Sequence, residues 1–132
     1  MNGWLAMLLA VAGAGAAGGV CRFWISSLLA RRFGERFPWG TLAVNVSGAA
    51  LIGIVAGVVL GAGALPEGDR LLWALLVVGF LGSYTTVSSF SLQTLGLARA
   101  GETARAAIYV VATLFLCLTA AAGAFAFVSA GS

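Results

Sequence analysis

Four long apolar segments restrict the folds that this chain can adopt. They cover about residues 5–29, 42–65, 71–97 and 106–128, and charged residues fall almost entirely between them. A helix crosses the hydrocarbon core of a bilayer with roughly 20 apolar residues, so every segment is long enough to span it. Strands of about ten alternating residues, the pattern of a membrane β-barrel, do not occur. The sequence therefore predicts an all-α integral membrane protein with four transmembrane helices in one domain, residues 1–132.

The composition argues against several classes of function. The chain has no histidine or lysine, and its acidic residues lie between the apolar segments, at Glu35, Glu67, Asp69 and Glu102. Proton-coupled transport generally uses a titratable group inside the membrane, and a serine or cysteine nucleophile needs a base such as histidine. These absences argue against proton-coupled antiport, and we predict that the protein is not an enzyme. The net charge of +3 comes mainly from arginines between the segments, which indicates a lipid bilayer rather than nucleic acid as partner.

A polar run interrupts the third apolar segment. Residues 82–91, GSYTTVSSFS, carry five serine and threonine hydroxyls between Ser83 and Ser89. Inside a bilayer, an irregular backbone is tolerated only where it is buried in protein or lines a watery cavity. Two interpretations remain open. The third helix is broken and carries an ion site, or it is continuous and its hydroxyls bond neighbouring helices.

Two polar side chains in the first two segments are candidate functional residues. Arg22 lies about two-thirds of the way along the first segment, where a charge usually marks a functional site or a watery vestibule. The alternative is that its long side chain reaches the membrane interface. Asn45 lies within the first two turns of the second segment and presents an amide with two donors and one acceptor. Its alternative role is a hydrogen bond between helices.

Glycines at four-residue spacing predict close contacts between helices. Gly15 and Gly19 share one face of the first segment, and Gly53, Gly57 and Gly61 form a ridge along the second. Small residues on one face allow two helix backbones to approach each other. We expect Asn45 to lie on a different face from the ridge.

The fourth segment carries a stripe of polar side chains. Tyr109, Thr113 and Cys117 are spaced by four residues and therefore lie on one helical face. Coincidence is the alternative, because a threonine hydroxyl can bond its own helix anywhere in a membrane. Together with the third segment, the stripe supplies neutral donors without a carboxylate, a combination that favours an anion: Asn45, Ser83, Thr85, Thr86, Ser88, Ser89, Tyr109 and Thr113.

Three motifs in order resemble the Fluc (CrcB) family of fluoride channels. Residues 79–91, GFLGSYTTVSSFS, are similar to the family motif G-F-x-G-G-x-T-T-F-S-T-F-S. Residues 18–22, GGVCR, resemble its glycine-rich first span ending in arginine, and residues 38–45, PWGTLAVN, resemble its P-x-G-T-L-x-x-N. The resemblance covers the whole chain.

The resemblance implies a fold, a function and a location. The fold would be an antiparallel, dual-topology homodimer of four-helix subunits with a broken third helix. The dimer would hold two fluoride-selective pores that export fluoride passively across the bacterial cytoplasmic membrane, together with a structural sodium ion.

The resemblance also implies roles for individual residues. The backbone carbonyls of Gly82 and Thr85 would bind the sodium ion, and Arg22 would shape a vestibule. The remaining matches would line the fluoride pore: Asn45, Val87, Ser88, Ser89, Phe90, Tyr109, Thr113 and Cys117. Val87 stands where the family usually has the first of two phenylalanines and offers no ring edge. Cys117 stands where a serine is expected and is a weak donor.

Two other classes of function and one alternative assembly remain as rivals. A small dual-topology multidrug exporter would need a carboxylate inside the membrane, and a non-transporting assembly subunit would not explain why the polar features occur together. The arginines also favour one orientation, because the first and third loops carry five and the second carries one. The alternative to a homodimer is therefore a chain that inserts one way and pairs with an oppositely inserted homologue.

Overall fold

A computed structural model describes residues 3–61 and 69–131. Within these ranges it contains helices and no strand, in the order α1 (Gly3–Phe33), α2 (Trp39–Gly61), α3 (Asp69–Trp73), a π-helix (Ala74–Leu81), α4 (Gly82–Tyr84), α5 (Val87–Arg99) and α6 (Thr103–Gly131). Four helical stretches of the described chain are long and apolar enough to span a membrane: Gly3–Phe33, Trp39–Val59, Arg70–Arg99 and Thr103–Gly131. The prediction of an all-helical, multi-pass membrane protein is confirmed. Residues 62–65, the predicted end of the second segment, and Glu67 lie outside the described residues.

The outer surface of the helices is apolar. Phe23 of α1 is 74% exposed and Phe127 of α6 is 84% exposed. Only 6% of the residues in the most apolar window of α1, and the same share in α6, are buried inside the chain. A large exposed apolar surface is unfavourable in water, so these helix faces are suited to contact with lipid or with another apolar surface.

Glycines bring the helices into contact at the predicted ridge on α2. A Cβ atom at Gly53 would overlap the carbonyl of Ala121, and one at Gly57 would lie 2.9 Å from the Cβ of Val128. Both neighbours belong to α6, so this part of the ridge packs two helix backbones together. The prediction for α1 is correct only in part, because a different glycine makes the closest contact there.

On α1, the close contact involves Gly18 and not Gly19. A Cβ at Gly18 would overlap the carbonyl of Phe80 in the π-helix, whereas one at Gly19 would meet nothing within 4 Å. Gly15, the other predicted member, would place its Cβ 3.0 Å from the Ser83 hydroxyl. Residues three apart share a helical face as well as residues four apart, and packing selects the spacing of three here.

The polar run lies where α4 and α5 meet. Thr85 and Thr86 have extended backbone conformations, with ψ of 158° at Thr85 and φ of −152° at Thr86. A small core of Val44, Leu81 and Tyr84 packs next to them. The helical hydrogen-bond pattern is therefore interrupted at these two threonines, beside a packed interior.

Candidate functional site

Asn45 is hydrogen-bonded to the backbone of the interruption. Its Nδ2 donates to the Thr86 carbonyl at 2.9 Å, and the Thr86 amide donates to its Oδ1 at 2.8 Å. The side-chain amide thus pairs with both backbone polar groups of Thr86, as a residue on a neighbouring strand would. One N–H of the Asn45 amide is not used in this pair. Asn45 therefore both fixes the interruption and retains a donor for another group.

The hydroxyl of Thr86 caps α5. It accepts a hydrogen bond from the Ser89 amide at 3.1 Å and donates to the Ser89 hydroxyl at 3.2 Å. The Ser88 hydroxyl lies 3.1 Å from the same oxygen. Threonine is a favoured residue at the start of a helix for this reason. Thr86, Ser88 and Ser89 are thus bonded to one another, and Ser88 is exposed.

The carbonyl groups of Gly82 and Thr85 are among those that lose their helical partners at the interruption. In a continuous helix the Gly82 carbonyl would accept from the Thr86 amide, and the Thr85 carbonyl would accept from the Ser89 amide. The Thr86 amide donates to Asn45 instead, and the Ser89 amide donates to the Thr86 hydroxyl. The oxygens of Gly82 and Thr85 are therefore released from the helical pattern and can accept another ligand.

Arg22 reaches the interruption from α1. Its Nη1 lies 3.4 Å from the Thr85 carbonyl oxygen, a long hydrogen bond, and its side chain is half-buried. The guanidinium is thus beside the polar run rather than at the end of α1. A positive charge at this position complements the carbonyl released there.

A cavity of about 590 Å³ brings many of the predicted site residues together. We call it the central cavity. Asn45, Gly82 and Thr85 line it together with the α5 and α6 residues Val87, Phe90, Thr113 and Cys117. The Thr113 hydroxyl is buried and has no hydrogen-bond partner among the described residues. Because a buried hydroxyl normally has a hydrogen-bond partner, this hydroxyl is suited to bind a ligand in the cavity.

Tyr109 does not line the central cavity. It is fully buried, its hydroxyl donates to Gln93 Oε1 at 3.0 Å, and its ring centroid lies 5.2 Å from that of Phe90 and 5.5 Å from that of Phe37. The stripe on the fourth segment is therefore divided. Thr113 and Cys117 line the cavity, whereas Tyr109 lies behind Phe90.

Three residues that were not predicted from the sequence support this site. Gln93 lies three residues after Phe90 and so shares its helical face, a spacing that could have identified it. The hydroxyls of Ser47 and Tyr84 lie 2.8 Å apart, and the Tyr84 ring stacks on Phe80 with a centroid distance of 5.8 Å. This polar contact lies under the interruption, and no sequence spacing indicates it.

A second cavity of about 640 Å³ lies near the first loop. We call it the loop-side cavity. Its lining includes residues from α1, the loop, α2 and α5, among them Ser27, Arg31, Glu35, Thr41 and Gln93. Gln93 therefore touches this cavity and bonds Tyr109 at the same time.

Comparisons with known proteins agree with the predicted family. Residues 9–125 match the family described as CrcB-like protein, Camphor Resistance (CrcB). The protein called fluoride-specific ion channel FluC 2 of Rhodopseudomonas palustris is 53% identical over 120 residues, 90% of each chain. FluC 2 of Bradyrhizobium diazoefficiens is 46% identical over 121 residues, 92% of this chain and 88% of the relative. FluC of Opitutus terrae is 47% identical over 120 residues, 88% of this chain and 87% of the relative. The chain therefore belongs to the CrcB family, a family of fluoride channels and not of enzymes.

Proposed function

We propose that this protein is a fluoride-selective channel that exports fluoride passively across the bacterial cytoplasmic membrane. The observation that carries the proposal is the Thr113 hydroxyl, which is buried at the central cavity with no partner among the described residues. The relatives' name as fluoride-specific channels supports the same ion. Within the described chain, no carboxylate lines the central cavity to repel an anion.

The pathway must replace the water that fluoride holds tightly. Selective pores do this with closely spaced groups that substitute for the hydration shell. Three donors at the central cavity can substitute for water in this way, namely the unused N–H of Asn45, the hydroxyl of Thr113 and the positive ring edge of Phe90. The Cys117 thiol adds a weaker donor one helical turn beyond Thr113. Fluoride would lose water stepwise as it meets these groups.

A second subunit would complete the pathway. Val87 lines the central cavity yet is 77% exposed, so one chain leaves this wall open. We propose an antiparallel, dual-topology homodimer in which each subunit closes the cavity of the other, giving two pores. The apolar outer faces of the helices are suited to such a contact and to lipid.

The Gly82 and Thr85 carbonyls are proposed to hold a structural sodium ion. They fit it because both are neutral oxygens that have lost their helical donors, and the Thr85 oxygen, which accepts a long hydrogen bond from Arg22, keeps a second lone pair. Unwound carbonyls coordinate sodium in other membrane proteins. When bound, the ion would supply a fixed positive charge close to the pathway. Asn45 bonds the backbone of Thr86, and Arg22 bonds the carbonyl of Thr85, so both side chains hold the backbone of this site in position.

Flux measured in liposomes tests the proposed function. Purified protein should release fluoride from loaded vesicles and release chloride far more slowly. Vesicles loaded with the same anions but without protein provide the baseline. Equal release of both anions would contradict selectivity, and release of neither would contradict the channel itself.

Thr113→Val should lower the fluoride flux without destabilising the protein. Valine keeps the shape of the side chain, and no internal hydrogen bond is lost because the hydroxyl has no partner among the described residues. Loss of one donor to a charged partner is worth about 1.5 kcal/mol, so we expect a reduction of about tenfold. Initial rates of fluoride efflux from liposomes measure the effect.

Thr119→Val is the matched control for that variant. Thr119 is on the same helix, is exposed, and donates its hydroxyl to the Phe115 carbonyl at 2.7 Å. Its removal should leave the flux unchanged. Equal fluxes in the wild type and Thr113→Val would indicate that Thr113 only packs α6 against its neighbours.

Labelling from both sides of the membrane tests the orientation. Arg31, Arg32, Arg36, Arg99 and Arg105 lie on one side of the membrane, and this bias alone favours a single orientation. For an antiparallel homodimer, a cysteine introduced in the third loop should react partly with an impermeant reagent added to intact cells, and completely only after the cells are permeabilised. The native Cys21 and Cys117 lie within membrane helices and should be replaced first. Reaction from one side only would support pairing with an oppositely inserted homologue.

A further inference from the structure

The loop-side cavity is connected to the central cavity through side-chain contacts. Gln93 lines the loop-side cavity and accepts the hydrogen bond of the Tyr109 hydroxyl at 3.0 Å. The Tyr109 ring lies 5.2 Å from the ring of Phe90, which lines the central cavity. The two cavities thus lie on either side of the Gln93, Tyr109 and Phe90 side chains.

The loop-side cavity lies at the end of the bundle that carries most of the charge. The first and third loops lie on the same side because the chain crosses the membrane twice between them. Around these loops, five arginines face two carboxylates, Glu35 and Glu102. Glu102 is already paired with Arg105, with Oε2 and Nη1 2.6 Å apart. The remaining charge on this side is mostly positive.

Two opposite charges line the loop-side cavity itself. Arg31 and Glu35 are both exposed, and neither forms an ion pair within residues 3–61 and 69–131. Arg31 attracts an anion in the cavity and Glu35 repels it, and the surplus of positive charge around the first and third loops makes the net field positive. Clefts lined by charge raise the local concentration of counter-ions and increase association rates.

We propose that the loop-side cavity is an anion-concentrating vestibule of the pathway. Arg31 raises the local fluoride concentration in it, and Glu35 lowers that concentration. Fluoride then passes from the vestibule to the side-chain amide of Gln93 and on to the central cavity. The inference rests on the proposed fluoride channel and assigns to Arg31 and Glu35 a role in setting the rate at which fluoride enters.

Single-channel currents at two ionic strengths test this inference. Fluoride currents of the full-length protein in planar bilayers are recorded with an impermeant salt at about 0.01 M and again at about 1 M, between which the Debye length falls from about 30 Å to about 3 Å. At the lower ionic strength, Arg31→Gln should reduce the current by about threefold and Glu35→Gln should raise it, as field-dependent entry predicts. At the higher ionic strength, both variants should match the wild type.

Arg31→Lys is the matched control, because it keeps the positive charge at the lining of the cavity. Its current should change much less than that of Arg31→Gln. Unchanged currents in Arg31→Gln at low ionic strength would overturn the inference, as would a reduction that persists at high ionic strength, which indicates a structural defect. Opposite shifts in the two cavity variants cannot come from misfolding. A wild-type protein that carries no fluoride would instead overturn the proposed function, and the vestibule with it.

Discussion

Asn45→Asp is expected to abolish fluoride flux, with a reduction of about a thousandfold. A carboxylate at this position would lie about 4 Å from an anion in the central cavity, where two like charges repel by about 4 kcal/mol at an effective dielectric constant of about 20. Each 1.4 kcal/mol corresponds to about a factor of ten. The change adds no bulk, since aspartate and asparagine have nearly the same shape.

The same substitution also acts on the interruption. Asn45 donates to the Thr86 carbonyl at 2.9 Å, and an aspartate oxygen in its place would face that carbonyl oxygen without a proton between them. The bond in the other direction, from the Thr86 amide to Oδ1 at 2.8 Å, would be kept. The variant therefore weakens one of the two bonds that hold Thr86 and adds a negative charge.

Asn45→Ala separates the two effects. Alanine removes both hydrogen bonds to Thr86 but adds no charge, so it should destabilise the protein more than aspartate does and reduce the flux less. Fluoride efflux from liposomes and thermal unfolding in detergent measure the two quantities. A flux near the wild-type rate in Asn45→Asp would show that Asn45 lies outside the fluoride pathway and serves only to fix α5.

The transmembrane helices were predictable because lipid imposes a simple rule on sequence. Long apolar segments flanked by charges must cross the bilayer as helices, and four such stretches occur in the described chain. Their ends were less predictable. The helix of the first segment continues to Phe33, past Arg31 and Arg32, because charged residues remain compatible with a helix once it leaves the hydrocarbon.

Spacing predicted which faces pack better than it predicted which residues touch. The ridge on α2 was correct at Gly53 and Gly57 because a four-residue repeat leaves one continuous groove for α6. On α1, glycines at both three and four residues from Gly15 were available, and only the position of the π-helix selects Gly18. Local sequence does not contain that position.

The partners of the polar side chains were the least predictable part of the site. The sequence predicts that Asn45 donates to an ion or to another helix, and the structure shows it bonded to the Thr86 backbone, 41 residues away, between α4 and α5. That bond exists only because Thr86 leaves the helical conformation. In the same way, the Tyr109 hydroxyl donates to Gln93, a partner on α5 that the spacing of the stripe does not indicate.

The second large effect concerns the ring at Phe90. Phe90→Ile is expected to lower fluoride flux by about thirtyfold, since the change removes the ring edge from the ion and the ring contact with Tyr109, together worth roughly 2 kcal/mol. Val87, three residues earlier, also lines the central cavity and has no ring. Phe90 is therefore the only member of this pair that offers an aromatic edge.

Val87→Phe should have a small effect by comparison. The side chain of Val87 is 77% exposed, so a larger ring meets little resistance within the chain. If hydroxyl and amide donors carry fluoride past this position, a second ring is unnecessary. The flux should then stay within about twofold of the wild type, because a twofold change corresponds to less free energy than one aromatic contact contributes.

Phe80→Ile is the matched control for the ring substitution. Phe80 stacks on Tyr84 and lines neither of the two cavities, so its replacement should lower stability without changing selectivity or the rate per folded channel. Single-channel currents give that rate without a correction for the fraction of folded protein. A Phe90→Ile channel with the full wild-type current would show that neither Val87 nor Phe90 supplies an obligatory ring edge. In that case Phe90 would serve to pack Tyr109 between the two cavities, and the hydroxyl and amide donors would dehydrate fluoride alone.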